Sequence, residues 1–369
     1  MQKITLIFSA KFKLEVTLWS LLSLFTTLRF CVISNLKFLE VIKMGCKVFI
    51  TGATGFVGRA LVSKLVDSSY LVTALVRQKN DSLSHVVEQV VGDLSLLGDA
   101  SLILNSTLFQ GVDAVVHMAA RVHMMNDDAF DPLVEFRKVN RDATLVLARM
   151  AAEAGVKRFV FLSSIKVNGE ITRPDYPFLP DDVFIPSDPY GLSKYEAEQG
   201  LLALAKETGM EVVIVRLPLV YGPGVKANFS SMIKWVKKGI PLPFGAIYNQ
   251  RSLVALDNLV DFLALCADRK KSPKASNQLF LISDNEDVST TELVQKVAKA
   301  FGKKALLLPV PVSLMTFVAK LLGRESVTDR LFSSLQVDSS KARELLGWNP
   351  VITMDEQLKK TADFDKHSI

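Results

Sequence analysis

The chain reads as an α/β protein, a doubly wound parallel sheet followed by a smaller C-terminal lobe. Three observations predict it. Residues 47–58, KVFITGATGFVG, form an apolar β-branched run that halts at a glycine-rich turn and reopens as a helix. Residues 56–66 place apolar side chains at helical spacing and residues 70–76 read as a second buried strand; a helix between two such strands makes a parallel βαβ unit. Further short apolar runs follow at residues 87–91, 114–117, 158–164 and 211–217, and that succession is the Rossmann-type arrangement.

The glycine turn carries the first chemistry. Gly52, Gly55 and Gly58 recur every third residue. Glycine lets the backbone turn sharply and approach a ligand with no Cβ in the way, while the helix behind it presents unpaired N–H groups and the positive end of its dipole to an anion. A dinucleotide pyrophosphate suits that geometry, with Thr54, Phe56 and Val57 completing the expected cradle. The spacing is GxxGxxG rather than GxGxxG, and a turn that binds nothing can share it.

In such units the residue ending the second strand meets the adenosine ribose, where a basic group welcomes a 2′-phosphate. Here it is Arg77, with Lys79 beside it, which favours NADP over NAD. Asp93, closing the third strand, is a candidate to hydrogen-bond the adenine. Ala119 and Ala120, after the fourth, are small enough for a cofactor to lie across the strand end.

A long helix is expected over residues 136–154, then a fifth strand whose end exposes Ser163 and Ser164. A loop rich in proline and acid (residues 165–187) leads to a helix opened by Asp188 and Pro189, suited to its cap and first turn. That helix carries YGLSK, so Tyr190 and Lys194 lie on one face. An adjacent ammonium favours a phenolate and lowers the tyrosine pKa, and a serine hydroxyl can share the proton. Ser164, Tyr190 and Lys194 thus form a proton-transfer set for alcohol–ketone chemistry beside a nicotinamide.

TGATGFVG, GD, HMAA, VN, FLSSIKVNGE and YGLSK, in this order, resemble the extended short-chain dehydrogenase/reductases, in their nucleotide-sugar epimerase/dehydratase branch. Within it the likeness is to UDP-glucose 4-epimerase-like proteins and to 4-keto reductases that form UDP-N-acetylquinovosamine for O-antigen. The resemblance implies catalytic Ser164, Tyr190 and Lys194, with Asn140 supporting the lysine and an active-site water. It implies NAD(P)-dependent redox chemistry at C4 of a UDP-sugar, as UDP-hexose 4-epimerase in surface polysaccharide synthesis. The alternatives are an NADPH-dependent reductase of a UDP-4-keto-6-deoxy sugar and a non-catalytic dinucleotide sensor. It also places Pro218, in RLPLVYGPG, along the nicotinamide, and Lys166, Asn168, Asn228 and Arg251 on the substrate. Arg330 is the nearest counterpart of a second pyrophosphate arginine, and a homodimer is expected through the two long helices beside the site. Two positions depart from the pattern: RDATL lacks a glycine before its threonine, and Asn168 stands where epimerases often carry tyrosine.

Residues 44–225 are expected to be mainly the NAD(P)-binding domain and residues 226–369 mainly the substrate-binding lobe, with some chain interwoven. In that lobe residues 290–301 read as a helix, 305–310 as an apolar strand, 313–322 as an apolar helix and 339–346 as an amphipathic helix before GWNP.

Of the 369 residues nearly half are apolar, enough for an ample core, and the formal charge is +6. Residues 1–43 hold six basic and two acidic residues, so the body is near neutral and a poor footprint for nucleic acid. Cys31, Cys46 and Cys266 lie far apart, which fits a reducing, cytoplasmic setting and no metal site. Between Glu15 and Arg29 the leader has 13 uncharged residues, against roughly 20 for a spanning helix. The preferred reading starts the native chain at Met44, with a peripheral membrane anchor as the alternative. A chain beginning at Met44 is expected to be soluble and to match the full chain in turnover; lost folding or activity would make the leader structural.

Overall fold

Lys47–Thr51 (β1) buries four of its five residues, and the chain then turns at Gly52 into α1 (Phe56–Asp67). β2 (Leu71–Val76), β3 (Glu88–Val91), β4 (Ala114–His117), β5 (Arg158–Leu162), β6 (Glu211–Arg216) and β9 (Gln278–Leu281) join β1 in one sheet of order β3-β2-β1-β4-β5-β6-β9. Every pairing in it is parallel. This computed structural model describes residues 45–96, 106–122, 131–173, 175–182, 184–321, 323 and 331–367. The leader, Cys31 and Arg330 lie outside the described residues. Cys46–Ile369 makes one compact unit.

Helices cover both faces of the large sheet. On one, α1 packs beside α6 (Leu256–Ala267) over Val48, Ile50, Val116 and Val213, with Trp348 sealing the edge. On the other, α3 (Ala143–Glu153) and α4 (Pro189–Thr208) enclose Phe49, Val115, Phe159, Phe161 and Ile214. The two helices touch closely: a Cβ on Gly200 would lie 2.6 Å from Leu145. β1 lies between β2 and β4, where the winding reverses, and ligands of such sheets bind at the strand ends there.

A second core lies around β7 (Leu219–Tyr221), β8 (Arg251–Ala255) and β10 (Asp287–Val288), a three-stranded sheet of order β10-β8-β7. α5 (Ala227–Lys237), α7 (Thr290–Ala300) and α10 (Met354–His367) pack against it through Phe229, Ile233, Leu293, Val297 and Leu358. α8 (Val312–Leu321) and α9 (Ser340–Leu346) complete the helices used below. β9 belongs to the large sheet although it falls in the second half of the chain.

Three expectations need correction. The long helix starts at α2 (Pro132–Arg137), capped by Asp131, and reaches α3 through a π-helical turn, Lys138–Asp142. Residues 305–310 make no strand; Leu307 forms only an isolated bridge to Leu242, because no longer partner strand runs beside it. Ser163 is buried rather than exposed, because the sheet end there is covered by α4. No helix among the described residues is long and apolar enough to cross a membrane.

Candidate active site

α4 sets the geometry. Asp188 caps it, its Oδ1 accepting from Gly191 N at 3.1 Å, and Pro189 occupies the first turn. Tyr190 lies near the Ser164 hydroxyl, which favours its phenolate, and its ring meets Phe136 edge-on at 6.0 Å. Ser164 follows β5 and caps the 3-10 turn Ile165–Val167, accepting from Lys166 N. Lys194 is fully buried; its Nζ donates to Leu162 O at 2.9 Å and lies 4.4 Å from the centre of the Phe161 ring. Strand end, turn and helix therefore bring Ser164, Tyr190 and Lys194 together.

The electrostatics run against the expected lowering of the phenol. Burial pushes Tyr190 up to about 12, Asp188 adds to the rise, and the Ser164 hydroxyl opposes it. Burial also brings Lys194 down to about 7, opposed by Glu198. Loss of water disfavours phenolate and ammonium alike, and it is the largest cause of both shifts. Tyr190 rests as a proton donor, and Lys194 is poised to gain or lose its charge near neutrality.

Asn140 sits in the π-helical turn, a distortion common at functional sites. Its Oδ1 accepts from Arg121 N at 2.8 Å, and its Nδ2 donates to Arg121 O and to Ser193 Oγ. Behind it runs a buried chain of hydrogen bonds whose directions fix one another. Ala119 N donates to Thr51 Oγ1 at 3.2 Å, and Thr51 to His117 Nδ1 at 2.7 Å. His117 Nε2 donates to Thr144 Oγ1 at 2.9 Å, because that hydroxyl gives its own proton to Asn140 O at 2.8 Å. Burial keeps the imidazole neutral, so its proton is on Nε2 and Nδ1 accepts from Thr51, and the ring ties the end of β1 to the turn that holds Asn140.

The glycine turn divides its labour. Gly52 adopts φ +75°, and a Cβ there would lie 2.8 Å from Ala119 N; one on Gly58 would lie 2.0 Å from Gly52 O. Both positions are closed by the fold itself. Gly55 is exposed with Thr54, and a Cβ on it would meet only Gly52 O, at 3.1 Å. Gly55 is the N-cap of α1 with no side-chain cap, and no acid lies in the first turn, so the N–H groups that open the helix at Phe56 and Val57 face an open cradle that fits a diphosphate. Ala119 and Ala120 are half-buried at the end of β4, Arg77 is exposed just past β2, and Pro218 is buried beyond β6. Asp93 spends Oδ1 on Ser95 N and Oγ.

On the other side, Arg251 opens β8. Its guanidinium donates to Ser333 O at 2.9 Å, burial lowers its pKa, and no carboxylate among the described residues pairs with it. Residues 333–338 run from there to the loop after Ser164, joined through Thr172 N to Ser334 O and Phe178 N to Gln336 O, both 2.9 Å. Asn228 is exposed in the first turn of α5. Lys166 pairs with Asp188 and Glu170. Asn168 is buried and committed at both ends: Oδ1 accepts from Arg216 at 2.9 Å, and Nδ2 donates to Leu179 O at 2.9 Å.

The profile of the NAD dependent epimerase/dehydratase family matches residues 48–279. The UDP-glucose 4-epimerase of Vibrio cholerae is 49% identical over 325 residues, covering 87% of this chain and 95% of that protein. The chain belongs to this family. Among solved structures, UDP-N-acetylglucosamine 4-epimerase from Bacillus cereus superposes with a TM-score of 0.68 at 21% identity, covering 87% of this chain and 97% of that one. MoeE5 in complex with UDP-glucuronic acid and NAD gives 0.67 at 26% identity, covering 88% and 100%. As a family member the chain is an enzyme of NAD-dependent type with the fold expected from its sequence.

Sequence reasoning missed the supporting residues of this epimerase/dehydratase site. Ser163 donates to Glu198 Oε1 at 2.5 Å, and Glu198 pairs with Arg216 at 2.6 Å, both side chains buried. A glutamate four residues after Lys194, on the same helical face, was the available signal. His117 was legible only as part of HMAA. Burial, aided by the Lys194 charge, holds its pKa down at about 3 against an ordinary 6.5. As pH falls, the unfolded chain takes up this proton first, so the contribution to stability is intact above about pH 6.5 and declines by about 1.4 kcal/mol per unit down to about pH 3. His117→Gln is expected to flatten the acid side of a stability–pH curve by that slope. Parallel curves for variant and parent in urea unfolding would contradict the buried neutral imidazole.

Proposed function

We propose that the protein is a UDP-hexose 4-epimerase working with resident NAD. The observation that carries this reading is 49% identity sustained over 95% of the Vibrio cholerae UDP-glucose 4-epimerase. Bound NAD supplies the acceptor and donor of the C4 hydride. Tyr190 first gives up its resting proton to solvent; as phenolate it takes the 4-hydroxyl proton while the sugar is oxidised, and it returns that proton after the 4-keto sugar has turned over, while Ser164 holds the same oxygen. Lys194, anchored on Leu162 O, supplies positive charge beneath the phenol when protonated, and Asn140 holds the π-helical turn against Arg121 and Ser193. Gly52, Thr54, Gly55, Phe56, Val57 and Gly58 hold the cofactor diphosphate, with Asp93, Ala119, Ala120 and Pro218 along the rest of the dinucleotide. Arg251 and Asn228 take the substrate diphosphate. Asn168 and Lys166 shape the sugar side through Arg216 and Asp188 rather than by a free polar end.

The second reading is NADPH-dependent reduction of a UDP-4-keto-6-deoxy sugar with the same residues, and exposed Arg77 is what favours it. An epimerase must keep its dinucleotide, whereas a reductase must exchange it each turnover. Purified protein given UDP-glucose or UDP-N-acetylglucosamine, with no added cofactor, should form the galacto epimer. No conversion, together with NADPH consumption on a UDP-4-keto-6-deoxy sugar, would overturn the epimerase reading.

Arg251→Ala should raise the KM for the UDP-sugar about 10- to 100-fold, the range for a lost charged hydrogen bond, and leave the bound dinucleotide in place. Equal losses of both ligands would contradict the assignment. The proposal also divides the chain into residues 44–225 for the dinucleotide and 226–369 for the sugar nucleotide. It pairs two copies through α3 and α4 in the cytoplasm, and a monomer by light scattering would contradict the pairing.

A further inference from the structure

Outside the site, the described residues expose apolar surface most conspicuously on α8 and the segment before it. No residue of α8 is fully buried. Leu314, Phe317, Val318 and Leu321, spaced i, i+3, i+4, i+7, are exposed, with Phe317 at 61% and Leu321 at 72%, whereas Val312, Met315 and Ala319 are half-buried. The helix therefore turns a continuous apolar stripe away from the protein. Residues 306–308 are pinned by Leu242 N to Leu306 O and Leu308 N to Leu242 O, both 2.8 Å, which leaves Leu306 and Leu308 exposed as well.

The charge around this surface selects its occupant. Residues 302–323 contain Lys303, Lys304 and Lys320, all exposed, and no acidic residue. A second copy docked by two-fold symmetry would bring a second set of the same lysines to the seam, with no acidic residue of this segment to meet them. An anionic lipid surface instead takes the apolar side chains into its headgroup boundary and the ammonium groups against its phosphates. Ten residues of helix span about 15 Å, half of a bilayer's hydrocarbon core, so α8 can lie in the surface but not cross it. We propose that α8, with Leu306 and Leu308, is a membrane-surface docking element that binds anionic bilayers.

The test is co-sedimentation of the full chain with phosphatidylcholine vesicles, with and without phosphatidylglycerol. The parent should bind the anionic vesicles and bind the neutral ones less. Phe317→Ser/Leu321→Ser should lower binding at least about tenfold by removing two large apolar side chains, with unfolding temperature and turnover unchanged. Lys303→Ser/Lys304→Ser should lower binding to anionic vesicles alone. Three outcomes would overturn the proposal: no binding by the parent, equal binding by the apolar variant, which would assign the attachment to the leader, or a concentration-dependent dimer that the apolar variant abolishes without any effect on lipid binding. Because vesicle binding is read apart from turnover, its failure and a failure of the epimerase assignment are distinguishable.

Discussion

Tyr190→Phe is expected to fold, to hold its dinucleotide, and to turn over at least about 100-fold more slowly than the parent, the usual loss when an acid–base group is removed. The phenyl ring keeps its edge contact with Phe136 and its place on α4. Only the hydroxyl beside Ser164 disappears. Because Tyr190 is held up at about 12, its proton is in place for return to a 4-keto oxygen, and nothing else in the cluster duplicates it. Lys194 points its Nζ at Leu162 O, and Ser164 lacks the acidity. Turnover rate and bound NAD, measured on the same preparation, check the expectation; a near-parental rate would remove Tyr190 from the proton path.

The largest expected effect on stability comes from Glu198→Ala, about 3–5 kcal/mol. Glu198 and Arg216 are both buried, joined at 2.6 Å by the terminal nitrogen and at 3.0 Å by Nε. Removing the carboxylate strands a guanidinium and also the Ser163 hydroxyl that donates to it. Arg216 in turn holds Asn168, so the loop behind Ser164 loses its footing on β6. Urea unfolding at fixed NAD concentration measures the loss, fixed because a ligand that binds only the folded state raises apparent stability. A change under about 1 kcal/mol would mean that water reaches the pair and screens it.

The turn at residues 47–58 was legible because each signal there is local: a β-branched run, glycines every third residue, then helical spacing. Tyr190 and Lys194 were legible for the same reason, being four apart behind an Asp-Pro helix start. What escaped depends on neighbours distant in sequence. Glu198 reads as a solvated helix acid until β6 delivers Arg216 beneath it. Ser163 and Ser164 are indistinguishable in sequence, since a parallel sheet covered on both faces offers no in–out alternation to read. The continuous apolar run at residues 305–310 reads as a strand, yet a strand needs a partner strand, and only the short stretch at Leu242 and Gly245 bonds to it among the described residues. The phenol's pKa was misjudged because i, i+4 spacing reports proximity and says nothing of the burial that dominates both groups. Arg77 marks a position whose meaning rests on the ribose that meets it, which no local pattern encodes.

The central claim is that hydride leaves C4 and returns to it within one bound dinucleotide. UDP-glucose carrying deuterium at C4, incubated in ordinary water with protein and no added cofactor, tests this most directly. Mass and proton spectra of the UDP-galactose formed should show the label still at C4 and absent from solvent. Label lost to water, or galactose formed only when fresh dinucleotide is supplied, would contradict it.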